Sequence, residues 1–185
     1  MNQEGFAGSA KHVWAILLIS VLGLFLEMLL IRWIGTEVRI FAYLQNTILV
    51  VCFLGLGLGL FTSRQPYSLR QMLIPLVLLL LLLAIPLSRQ GLGYASELLS
   101  ILGDPVIWGE LGGANLGKTI LYVTSGLAIT GFVLIVVLDM FVPIGRYLGR
   151  LMDDHPRIIA AYSANIAGSL LGTWLFVLVS SFYQP

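Results

Sequence analysis

The run VWAILLISVLGLFLEMLLIRWI, positions 13–34, carries two charges, Glu27 and Arg32, among otherwise apolar or small residues. A stretch of about 20 such residues crosses ~30 Å of hydrocarbon as a helix. Inside hydrocarbon every backbone polar group must be satisfied internally, which restricts the chain to helices or closed barrels. Comparable runs follow at 40–62, 72–87, 119–143 and 158–183, the third being short, leucine-dominated and bounded by Pro75 and Pro86. The expected fold is an all-α polytopic transmembrane bundle of about five spans, one domain over residues 1–185.

Composition narrows the function classes. Apolar residues make up 58% of the chain and charged residues 10%, with a mean hydropathy of +0.97. So little chain remains outside the spans that a soluble catalytic domain, which needs on the order of 100 residues, has no room. A net charge of +1 gives no reason to expect nucleic acid, and a single cysteine, Cys52, excludes an intrachain disulfide. The first apolar run is too long for the core of a cleavable leader and is expected to stay as an anchor. Basic residues favour an N-terminus inside and a C-terminus outside: Lys11, Arg64, Arg70, Arg146, Arg150 and Arg157 then face inward, against Arg32, Arg39, Arg89 and Lys118 outward. The expected location is a bacterial inner membrane, with the connection 88–118 lying on the outer surface.

Four groups of residues stand out. Folding the first two spans about the turn near Gly35 sets Glu27 level with Gln45 and Asn46, with Arg39 a turn or two farther out. A polar clamp between two helices is the plainer reading, and a proton or cation site the sharper one. Gly55 and Gly59 have the GxxxG spacing that lets helix backbones approach closely. On the last span Ala160, Ala164, Gly168 and Gly172 recur every four residues beside Ala161, Asn165, Ser169 and Thr173. That continuous small face is expected to receive the Gly55 and Gly59 ladder, with Asn165 hydrogen-bonding across. Asp139 is expected to pair with Arg146 or Arg150 at the inner end of the fourth span.

Other patterns mislead. GGANLGKT, residues 112–119, matches the phosphate-cradling loop literally, yet the chain lacks the parallel sheet that positions such a loop. His12 and His155 sit at opposite reaches of the sequence and suggest no metal pair. No cofactor is expected.

FLEMLLIRWIGTEVRIFAYLQN, then CFLGLGLGL, then FVPIGRYLGRLM and AYSANIAGSLLGTWLF, in that order, resemble the membrane region of multi-span spermidine-synthase-like proteins. The resemblance implies a helical membrane bundle. In that family the catalytic acids and nucleotide-binding glycines belong to a soluble aminopropyltransferase-type Rossmann domain beyond the membrane region, so no catalytic residue carries over to this chain. The expectation is a non-catalytic module, an accessory or scaffold subunit whose partners are other integral-membrane subunits and lipid. The alternatives are the membrane half of a split enzyme, working with a separate Rossmann-domain protein, and a small-cation or polyamine transporter using Glu27, Asp139, Tyr43 and Asn165.

Overall fold

The computed structural model describes residues 3–37, 45–66, 68–84 and 116–182, all within or next to helices. In chain order these are α1 (Gln3–Glu37), α2 (Gln45–Phe61), α3 (Leu69–Ala84), α4 (Leu116–Asp153) and α5 (Ile158–Phe182). Three stretches are long and apolar enough to cross a membrane: His12–Thr36 in α1, Thr124–Asp153 in α4 and Ile158–Phe182 in α5. Helices α2 and α3 are equally apolar but shorter, at 17 and 16 residues. The connection 88–118 lies outside the described residues up to Leu116, where α4 begins.

The fourth helix runs ten residues beyond the expected boundary. Pro143 was expected to close the span, but it sits buried inside α4, which continues to Asp153. Proline removes one intrahelical hydrogen bond, and within a packed membrane helix neighbouring contacts make that loss tolerable. The extra turns carry Arg146, Gly149 and Arg150 to the end of the bundle, where they meet the connection between α2 and α3.

Buried residues of α1 at Ile16, Ser20, Gly23, Glu27, Leu30 and Ile34 alternate four and three apart, with Gly35 buried beside the last of them. That spacing keeps one stripe on one side of a helix. Its two ends meet different neighbours. Leu30 and Ile34 join Ile48 and Cys52 of α2, Leu79 of α3, and Val133, Val137, Met140 and Phe141 of α4 in the main core. Ile16 packs instead with Leu148 of α4 and with Ala161 and Ala164 of α5.

Backbone-to-backbone contacts lock two helix pairs, and the partners differ from those expected. The Gly55 and Gly59 ladder packs on α4. A Cβ at Gly55 would lie 2.8 Å from the Leu138 carbonyl oxygen, and one at Gly59 would lie 2.7 Å from Gly145 Cα and clash with the Val142 carbonyl. The small face of α5 packs on α1, where a Cβ at Gly168 would clash with the Leu17 carbonyl and one at Gly172 would lie 2.6 Å from the Val21 carbonyl. Small faces are interchangeable in chemistry, so spacing alone does not pair them. Gly57, between the two contact glycines, is exposed and would meet nothing within 4 Å.

Gly59→Ala is therefore expected to destabilise the bundle by about 1–3 kcal/mol, the usual cost of forcing a methyl group into a packed contact. Gly57→Ala is expected to be neutral or to stabilise, since alanine is favoured over glycine in a helix by up to ~1 kcal/mol. Thermal melts of the two variants in the same detergent check the difference.

Candidate functional site

Polar groups placed among apolar helices are costly unless paired. The α1–α5 seam contains the best satisfied of them. Ser20 is 3% exposed, and its single hydroxyl proton serves two acceptors, the Ile16 carbonyl and Asn165 Oδ1, each at 2.7 Å. Gly168, one turn beyond Asn165, lets the helices approach closely enough for that bond, and Phe25 meets Phe176 edge-on nearby at 6.3 Å between ring centroids. Asn165 thus bonds to α1, and not to the α2 ladder.

Glu27 is the opposite case. It is 0% exposed, and neither carboxyl oxygen has a hydrogen-bond partner among the described residues. Of the expected clamp partners, only the side chain of Asn46 falls among the described residues, and it does not hydrogen-bond Glu27. Asn46 is exposed at the start of α2, while Arg39 and the side chain of Gln45 lie outside the described residues. Asn46 sits near the N-terminal edge of α2, Gln45–Phe61. At 1.5 Å per residue, Glu27 lies ~15 Å back from the end of α1, while Cys52 lies ~10 Å into α2. Cys52 of α2, fully buried, lies within electrostatic reach of Glu27.

At the other end of α2, two arginines of α4 hold the turn that leads into α3. Arg146 donates through Nε to Thr62 Oγ1 at 3.0 Å and through Nη2 to Gln65 Oε1 at 2.9 Å, with Nη1 3.4 Å from the Pro66 carbonyl. Arg150 donates through Nε to the Ser63 carbonyl at 2.6 Å and through Nη2 to the Gln65 carbonyl. Gly149 makes room for this approach, since a Cβ there would lie 2.8 Å from Ser63 Cβ. A turn that ends a helix leaves carbonyls without intrahelical donors, and the guanidinium fork supplies several donors in one plane.

The expected Asp139–Arg146 ion pair does not form. Seven residues along a helix separate the two by ~10 Å, and Arg146 is turned to the α2–α3 turn. Asp139 instead lies exposed on the outside of the bundle. It ends a stripe of exposed α4 residues that includes Leu121, Thr124, Leu127, Ala128, Phe132 and Ile135. Sequence reasoning picked Asp139 for its charge but gave it an internal partner. Ile135 and Phe132, four and seven residues before it, share its exposed face.

His155, in the turn between α4 and α5, is 4% exposed. Its Nδ1 accepts from the Arg157 backbone N–H at 3.0 Å, and Nε2 is buried without a partner. The side chains that would complete the GGANLGKT motif, and Tyr43, lie outside the described residues, and no group of three or more His, Cys, Asp or Glu able to hold a metal occurs among the described residues.

Two outcomes follow. Replacing Glu27, a buried carboxyl with no hydrogen-bond partner among the described residues, by the similarly sized Met is expected to stabilise the bundle by about 1–3 kcal/mol, read as a higher melting temperature. Arg150→Ala is expected to raise amide hydrogen exchange across residues 62–66 while leaving the α1–α5 seam unchanged, as measured by mass spectrometry.

Compared with known protein families, with curated proteins and with solved structures, the chain matches none.

Proposed function

We propose that this chain is a non-catalytic membrane module that serves as an accessory or scaffold subunit of a larger membrane complex. The observation that carries this reading is the scatter of its intramembrane polar groups. Glu27 is sealed in the core, Asn165 is joined to Ser20, and Asp139 faces outward. A transport path or an active site requires such groups to converge on one accessible space. Here they point into three different surroundings.

The helix surfaces support the same reading. Helix α5 uses one small stripe against α1 and leaves Ile166, Leu170, Trp174, Val177 and Leu178 exposed on its remaining faces. These faces suit lipid or further helices. The proposed setting is a bacterial inner membrane with the N-terminus inside. Arg64, Arg70, Arg146 and Arg150 belong to the α2–α3 turn or touch it, and Arg157 lies in the α4–α5 turn; all five are basic residues assigned to the inner side.

Purification of the untagged protein from its native membrane in mild detergent, followed by mass spectrometry, tests the reading. Integral-membrane subunits at fixed stoichiometry are the expected companions. A Rossmann-domain protein as the sole companion replaces the scaffold with a split enzyme. A solitary protein that supports polyamine uptake, lost in Glu27→Gln, replaces it with a transporter.

A further inference from the structure

Asp139 occupies a place where a bundle on its own has no use for a carboxyl group. It stands midway along the apolar stretch Thr124–Asp153, on the outer side of α4, at the end of the stripe formed by Leu127, Ala128, Phe132 and Ile135. Its depth follows from the packing. The neighbouring residues Leu138 and Phe141 lie against Gly55, in the middle of α2, and Arg146, two turns on, reaches the α2–α3 turn. Asp139 is thus ~10 Å inside that end of the bundle, too deep for so short a side chain to reach the headgroups.

The backbone adds a second acceptor at the same place. Pro143 is four residues after Asp139 and has no N–H, so it cannot donate the helical hydrogen bond that the Asp139 carbonyl would otherwise accept. A carboxyl group and a carbonyl relieved of its usual donor thus belong to one residue. Intramembrane ionisable residues as a rule face a helix bundle or a water-filled space rather than acyl chains.

We propose that the α4 stripe ending at Asp139 docks a transmembrane helix of a different polypeptide that carries an arginine or lysine at the depth of Asp139. The apolar positions pack against the partner helix, and the basic side chain donates to the carboxyl. An arginine has enough donors to reach the adjacent carbonyl as well. Among the described residues a second copy of this chain offers no cation at that level: Arg32, exposed within a span, lies five residues beyond Glu27 toward the opposite end of the bundle from Asp139, Arg64, Arg70 and Arg157 lie in or beside the turns at Asp139's own end, and Arg146 and Arg150 are bound to the α2–α3 turn. This inference rests on the accessory-subunit reading and names the face and the chemistry by which the subunit is held.

The test places a photo-crosslinking benzophenone amino acid at Ile135 of the full chain in native membranes. The expected product joins Ile135 to a transmembrane segment of another polypeptide, within about one helical turn of an arginine or lysine. Asp139→Leu is expected to lower that yield at least tenfold without lowering the melting temperature of the bundle, while Asp139→Glu keeps it within twofold. Crosslinks to lipid alone, to a second copy of the chain, or to a segment lacking a basic residue overturn the proposal, as does a yield that Asp139→Leu leaves intact. A complex that still co-purifies while Ile135 labels only lipid removes the docking face and leaves the accessory reading standing; the absence of any companion removes that reading itself.

Discussion

The bundle depends on the approach of helix backbones at positions that admit no side chain. In a bilayer the solvent around a helix is as apolar as leucine, so burying leucine against leucine gives little net drive. Close contact, with many atoms brought to van der Waals distance, has to supply it. Gly59 against Val142 and Gly145, and Gly168 and Gly172 against α1, are where that contact is made. The polar interactions are placed by it. Ser20 reaches Asn165 because Gly168 removes the side chain that would hold α1 and α5 apart, and Arg150 reaches the Ser63 carbonyl beside Gly149.

The two locked pairs divide the work differently. The α2–α4 pair, joined by α3, forms the main core and carries the arginine-bound turn at one end. The α1–α5 pair meets the core chiefly through the buried stripe of α1, whose centre is Glu27. A buried carboxyl with no hydrogen bond therefore lies where α1 faces the core helices, while the other acid of the spans lies on the outer surface. Neither is placed to serve the other.

Much of this was legible in the sequence, and what was not has physical causes. Five apolar runs predicted five helices, and the four-residue recurrence from Ala160 to Gly172 marked a packing face, because a period near 3.6 gathers such residues on one side. Which face meets which was hidden, since a row of glycines and alanines fits any other row. Asn46 was expected beside Glu27, whereas it is exposed near the N-terminal edge of α2, ~9 Å along the helix from Cys52. Pro143 read as a terminus because proline ends helices in water, where a freed carbonyl is hydrated and the chain is free to turn away. Arg146 was matched with an acid on its own helix, whereas the Thr62 hydroxyl and the Gln65 side-chain oxygen, distant in sequence and adjacent in space, accept its hydrogen bonds.

The Ser20–Asn165 bond joins residues 145 positions apart, tying the first helix to the last. A chain made from its N-terminus has α1 in the bilayer long before α5 exists, so the α1 face around Leu17, Ser20 and Val21 waits through the synthesis of α2, α3 and α4. The α2–α4 lock closes earlier, leaving α1 as the late-docking element. During that interval Ser20 satisfies its hydroxyl within its own helix, on the Ile16 carbonyl, so the waiting face presents no unbonded proton to lipid. The docking of α1 then waits on the arrival of α5, and a chain halted before it would leave α1 with its narrowest surface open to whatever other small-faced helix the membrane supplies.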